Sequence, residues 1–259
     1  MISTTSTVVF LALIAVVLAT APGMPVIRKS FFDWAHITRS FPSVARGFLL
    51  NIKIMLIAEV LILGFALLLA VVRGLPGPVF FPLRVVAIGY IDLFRGVPLI
   101  LVLYMVGYGV PGLAIKGLSN HDVVTFGIIS LVLVYSAYVA EVYRAGIESI
   151  HESQTAAARS LGLSRWKALR FVVLPQAIRR VIPPLLNDFI GLQKDTALVS
   201  VIGPIEAARE AQNYSVTTFN FASYVVAAFL FVLMTIPLAR FVDYLIARDR
   251  RRRQSGVVG

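Results

Sequence analysis

The stretch FLLNIKIMLIAEVLILGFALLLAVV, Phe48 to Val72, decides the fold class. It is apolar on every side, and it exceeds the ~20 residues that a helix needs to cross a hydrocarbon layer of about 30 Å. In such a layer the backbone must satisfy its own polar groups, so a run of this kind is a helix. It carries two charges, Lys53 and Glu59. Lys53 stands near the start and can reach back to the interface. Glu59 lies deeper and must face protein or water.

The rest of the chain repeats the pattern. Of its 259 residues 58% are hydrophobic and 14% charged, against roughly half and a quarter in soluble domains. Further apolar segments are read at about Val8–Leu18, Val97–Val110, Val123–Val139, Leu185–Ile202 and Tyr224–Ile246. Phe81–Phe94 is read as an interfacial elbow before the third of the six, with Pro98 in that segment's first turn. The fold class expected is all-α: a polytopic membrane helix bundle of about six spans. Ala19-Thr20-Ala21 resembles a cleavage site after a short apolar core, but no basic region precedes that core, so an uncleaved first span is expected. There are no cysteines, which excludes disulfides and thiol-based metal sites.

Loop charge sets the expected orientation. The net charge is +11, and cytoplasmic loops of membrane proteins collect Lys and Arg. The polar stretch Glu141–Ile182 holds Arg144, Arg159, Arg165, Lys167, Arg170, Arg179 and Arg180, and the tail Arg248–Arg253 reads RDRRRR. Both are expected in the cytoplasm, with Glu206, Arg209 and Glu210 outside. Counting back, residues 23–46 lie outside despite Arg28, Lys29, Arg39 and Arg46. An amphipathic helix on the outer surface, with Phe31, Phe32 and Trp34 in the interface, accommodates this. Both termini are then cytoplasmic. A cysteine introduced at Thr4 should resist an impermeant thiol reagent added to intact cells and react once the membrane is opened; labelling from outside overturns the orientation.

The polar loop has its own physical reading. In GIESIHESQTAAARSLGLSRWKALRFVVLPQAIRR, starting at Gly146, a short helix ends near Leu161 and Gly162 supplies the left-handed turn that closes it. Ser164 caps a second helix, in which Trp166, Leu169 and Val173 fall on one face and which Pro175 ends. Ala156, Ala157 and Ala158 leave a surface without bulk. Such a helix-turn-helix serves equally as a docking element for a cytoplasmic protein or as a connector packed on the chain's own helices.

Four motifs in order carry a resemblance to the permease subunits of ATP-binding-cassette importers, in the polar amino-acid branch. SQTAAARSLG (Ser153–Gly162), followed by Leu174-Pro175, resembles the EAA loop, in that branch GQWEAARALG with a closing Leu-Pro. LFRGVPLILVLY (Leu93–Tyr104) is similar to FRGTPLLVQL, AYVAEVYRAGIESI (Ala137–Ile150) to AYxAEIxRGGIxSI, and FIGLQKDTALVSVIG (Phe189–Gly203) to ISLLKDTSLVSVIG. The glutamate of the EAA pattern falls on Ala156, so the acid is missing there; Glu152 is the nearest replacement. The resemblance covers about Phe31 to the end. It implies a five-span permease core at residues 47–247 with a coupling loop at about 144–182, an extra N-terminal span at 1–22, an extracytoplasmic interfacial segment at 23–46 and a basic tail at 248–259. It implies a coupling surface made by Ala156, Ala157, Ala158, Gly162, Ser164, Arg165, Trp166, Leu174 and Pro175. The implied partners are ABC ATPase subunits, a second permease subunit (the same or a related chain), an extracytoplasmic substrate-binding protein, membrane lipid and an amino-acid substrate, without nucleic acid. The implied setting is the cytoplasmic membrane of a prokaryote.

The fifth segment is poor in apolar residues. At about 100° per residue, Asn187, Asp188, Gly191, Lys194 and Asp195 share a sector of about 120°. Such a sector faces a cavity or a subunit interface rather than lipid, and Lys194 with Asp195 offers opposite charges to a zwitterion. Nothing points to catalysis or to a cofactor bound by this chain. No Lys follows a Gly, so there is no P-loop, and His36, His121 and His151 read as isolated loop residues. ATP and Mg²⁺ are expected on the partner ATPase. The rival functions are an ion- or proton-coupled transporter, in which the docking loop would have no task, and a non-transporting scaffold, in which the polar sector would have none.

Overall fold

A computed structural model describes residues 2–255; the last four residues of the basic tail, 256–259, lie outside the described residues. The described chain is helical throughout, in the order α1 (Ile2–Thr20), α2 (Met24–Phe31), α3 (Trp34–Gly74), α4 (Phe81–Gly96), α5 (Leu99–Gly112), α6 (Val123–Glu148), α7 (Glu152–Ser160), α8 (Arg165–Ala168), α9 (Leu174–Asp195), a 3₁₀ segment Thr196–Ile202, α10 (Ala207–Thr218) and α11 (Ala222–Ser255). Among these residues three helical segments are long and apolar enough to cross a membrane: 24–74, Val123–Glu148 and Ala222–Arg248. The pair α4 and α5, bent by 107° at Val97-Pro98, makes a fourth if counted as one broken span. A bend therefore stands where the elbow was expected, just before Val97.

Two π-helical turns, Met105–Gly109 within α5 and Leu169–Val173 between α8 and α9, bear on the prolines. Each ends two residues before a proline, Pro111 and Pro175. A proline in a regular helix loses one hydrogen bond and drives its ring against the carbonyl four residues back. Here that carbonyl belongs to Gly107 or Phe171, inside the widened turn. Pro175 consequently does not end its helix, as the sequence suggested; helical structure of changing pitch runs unbroken from Arg165 to Ile202. The fourth segment continues as one helix into the polar stretch, from Val123 to Glu148.

The chain divides into two compact units. The larger holds residues 49–204 and 231–259. Its core joins Ile54, Met55, Ala58, Ile62 and Ala66 of α3 to Ile91 of α4, Leu103 of α5, Phe126 and Leu131 of α6, and Val199 and Ile202 of the 3₁₀ segment. Polar clasps tie the helices: Tyr90 donates to the Leu133 carbonyl at 2.7 Å, Tyr108 to that of Val201 at 2.9 Å and Asn51 to Thr196 Oγ1 at 3.2 Å. The outer faces are apolar, with Val60 72% exposed, as a lipid-facing surface requires.

The smaller unit holds residues 1–48 and 205–230. Phe31 stacks on Phe221 at 5.1 Å, and Asn220 donates to the Lys29 carbonyl at 3.0 Å. His36 is not a loop residue, as expected from sequence. It lies in α3 and hydrogen-bonds the Tyr214 hydroxyl at 2.9 Å. Glu206 is fully buried and caps α10, accepting from the N–H groups of Ala208 and Arg209 at 3.0 and 2.8 Å.

Candidate functional site: a projecting turn and a charged cleft

The projecting turn is built as its residues dictate. His151 opens α7 by accepting the Ser153 N–H on Nδ1 at 3.2 Å, a cap that the sequence reading missed. The helix closes on Gly162 at φ +84°: the Gly162 N–H bonds the Arg159 carbonyl and the Leu163 N–H bonds that of Ala158. This is the paired closure that a left-handed residue permits. Ser164 then accepts the Lys167 N–H at 3.3 Å and starts α8.

The turn shows more apolar surface than a connector needs. Ala158 is buried, whereas Ala156, Ala157, Gly162, Ser164, Arg165, Leu174 and Pro175 are exposed. Leu161 is 84%, Trp166 67% and Phe171 63% exposed. Trp166, Leu169 and Val173 were expected on one face, and they differ in exposure. Val173 packs inward with Ile150 and Ala177, while Trp166 points away from the chain's own core. The π-turn between them shifts the register. Behind the turn, Glu141 pairs with Arg73 and with Arg144, and Arg144 with Glu148. Arg180 donates to the Ser149 carbonyl. These bonds tie the root of the turn to α3, α6 and α9.

The polar sector of α9 splits in two. Asp188, Gly191 and Asp195 face α6: the Tyr135 hydroxyl donates to Asp195 Oδ2 at 2.8 Å, and a Cβ on Gly191 would stand 3.3 Å from that hydroxyl. Asn187 and Lys194, seven residues apart, are exposed on the flank, and Lys194 forms no ion pair among the described residues. Lys194 and Asp195 are thus not brought to one place.

Asp188 and Asp195 instead line a half-open cleft of about 440 Å³ with Arg95, Pro98, Tyr135 and Tyr138. Asp188 Oδ2 is buried there without a hydrogen-bond partner among the described residues. The Arg95 guanidinium stands 5.9 Å from the centre of the Tyr138 ring. The cation of this cleft is therefore Arg95, at the α4–α5 bend, and not Lys194. Arg95, Tyr135 and Tyr138 escaped the sequence reading as site residues, although all sit inside or beside motifs it had quoted. Glu59 lines a second cleft with Leu63, Ile182, Leu185, Leu186 and Phe189. It lies close enough to Asp188 for the two carboxylates to repel one another.

Residues 77–251 match the family model described as "Binding-protein-dependent transport system inner membrane component". The chain is 32% identical over 205 residues to the probable amino-acid permease protein YxeN of Bacillus subtilis, covering 79% of this chain and 90% of that one. It is likewise 32% identical over 224 residues to the glutamate/aspartate import permease protein GltK of Escherichia coli O157:H7, covering 84% and 98%. Among solved structures, an amino acid ABC transporter with histidines aligns with a TM-score of 0.77 at 31% identity, over 83% of this chain and 98% of that one. The chain belongs to the family of binding-protein-dependent transport system inner membrane components.

Proposed function

We propose that this chain is the pore-forming permease subunit of an ABC importer for a polar amino acid, set in the cytoplasmic membrane of a prokaryote. The single observation that carries the proposal is the projecting turn at Gly162. Its apolar side chains Leu161, Trp166 and Phe171 are turned away from the chain's own core, which is what a surface covered by another protein requires. The partner is the ATPase, which brings ATP and Mg²⁺; this chain supplies neither nucleotide site nor cofactor. A second permease subunit completes the pore, and an extracytoplasmic binding protein delivers the substrate. ATP-driven closure of the ATPase pair moves the turns, and the turns rock the helices.

The 440 Å³ cleft belongs to the substrate path. Arg95 on one side and Asp188 with Asp195 on the other suit the carboxylate and amine of a zwitterion. Amino-acid permeases among the relatives support the same substrate class. Asp188→Asn and Asp195→Asn should insert and assemble normally but lose uptake about tenfold or more, the cost of one charge-assisted contact. Lys194→Met, outside the cleft, should retain most of the uptake of an assembled transporter. Wild-type uptake in both aspartate variants removes the cleft from the path.

The test of the whole is uptake of labelled amino acids into liposomes holding the permease, its ATPase and its binding protein. Uptake should require ATP inside and the binding protein outside. Uptake that follows a sodium or proton gradient without ATP overturns the reading.

A further inference from the structure

At one end of the bundle, α9 and the tail of α11 enclose a cleft that the transport path does not use. Arg179, Ile182, Pro183 and Leu186 line it from α9, and Leu245 and Arg248 from α11, around a volume of about 200 Å³. The two helices run antiparallel. Thr235 of α11 donates to Gln193 Oε1 of α9 at 2.6 Å; fourteen residues back along α9 stands Arg179, and thirteen residues on along α11 stands Arg248. At 1.5 Å per residue the cleft lies about 20 Å from that polar clasp. It also stands where the apolar span Ala222–Arg248 ends.

We propose that this cleft is a binding site for the phosphate headgroup of an anionic phospholipid in the cytoplasmic leaflet; the inference rests on the reading of the chain as a membrane permease with a cytoplasmic tail. Charge selects the occupant. Both arginines are exposed, and neither has a carboxylate partner among the described residues. Arg248 is held over the Tyr244 ring at 5.9 Å from its centre, which leaves its N–H groups free to meet an anion. The chain continues beyond Arg248 as DRRRR, one acid against four further arginines, so the sequence that follows the cleft is strongly basic. Shape selects it too. Between the guanidiniums the floor is apolar, made by Ile182, Pro183, Leu186, Leu245 and Ile246, and Ile182 is 43% exposed at its edge. Acyl chains can lie along that surface while the phosphate accepts from both guanidiniums, a geometry that arginine makes with paired N–H groups. Basic clefts between membrane helices at the cytoplasmic face recognise anionic headgroups in this way. A soluble anion would gain nothing from the apolar floor.

The experiment uses the purified full chain in detergent, with phosphatidylglycerol or phosphatidylcholine added and the retained lipid counted by native mass spectrometry. Wild type should retain phosphatidylglycerol in clear preference. Arg179→Gln or Arg248→Gln should each weaken that preference about fivefold, and together roughly 30-fold. Arg179→Lys and Arg248→Lys should keep most of it, which separates lost charge from lost folding. Excess inorganic phosphate should not displace the lipid. Equal retention of both lipids by wild type overturns the proposal. So does a preference that survives the double Gln variant, or one abolished by replacing Arg250–Arg253 with glutamine while the cleft is intact. Displacement by phosphate would assign the cleft to a soluble anion instead. None of these outcomes depends on the ATPase, so the lipid site and the coupling reading fail separately.

Discussion

Gly162→Val is expected to leave the membrane helices folded and to detach the ATPase. Gly162 sits at φ +84° with no atom within 4 Å of where a Cβ would stand. The cost of a side chain is therefore conformational rather than steric, about 1–2 kcal/mol for a left-handed residue and more for a β-branched one. That penalty falls on the two closing hydrogen bonds to Arg159 and Ala158. Once they open, α8 loses its fixed angle to α7, and Trp166 no longer meets the surface that Leu161 meets. Gly162→Asn should be milder, because asparagine tolerates the left-handed region. Ala157→Asp should act from the other side of the turn, by placing an unpaired charge where contact must be dry. Co-purification of the ATPase with the permease should fall at least tenfold in Gly162→Val and Ala157→Asp, with hydrolysis in liposomes no longer responding to substrate. If both variants bind and couple as wild type does, the turn is not the docking surface.

A larger loss, of folding itself, is expected from Gly47→Val. A Cβ at this position would stand 2.7 Å from the Ala207 nitrogen and the Glu206 carbonyl carbon, and 2.9 Å from the Glu206 oxygen. All three atoms are backbone and cannot rotate aside. They also belong to the first turn of α10, whose buried cap is the Glu206 carboxylate. Valine must push α3 and α10 apart, at about 3 kcal/mol or more, and loosen the cap at about 1 kcal/mol further. Little monodisperse protein should be recovered from detergent, and what survives should melt well below wild type. Gly47→Ala should show the same effect in smaller measure. An unchanged melting temperature in Gly47→Val would mean that this approach is not as close in solution.

How much of this was legible in the sequence depends on the range of the interactions. Gly162 and Ser164 could be placed because helix closure and capping are written within four residues. The bend before Val97 could be placed because Arg84, Asp92 and Arg95 divide an apolar run too long for one span. Pro175 was misread because the rule that proline ends a helix assumes regular pitch ahead of it, and no local signal announces a π-turn. The polar sector of α9 was visible as a sector. Its division into a cleft side, Asp188 and Asp195, and a flank, Asn187 and Lys194, was not. That division depends on Tyr135, some sixty positions away, and on Arg95, carried in by the α4–α5 bend. Likewise His36 could be paired with Tyr214 only by a fold that brings residues 178 apart together. Periodicity reports which face of a helix is polar, and only tertiary packing reports what stands opposite.

The π-turn at Leu169–Val173 also sets the phase of everything after it. A π-turn spends one more residue than an α-turn to cover the same revolution. Every side chain beyond it is therefore offset by about 100° from where a regular helix starting at Arg165 would have aimed it. The docking turn lies upstream of that offset, and Asp188 and Asp195 lie downstream. In a regular helix of the same length, a turn held at its present angle would carry those two carboxylates away from Tyr135. The single extra residue works as a gear tooth between the two ends of the same rod: it gives the turn at one end and the carboxylates at the other each its own angular setting.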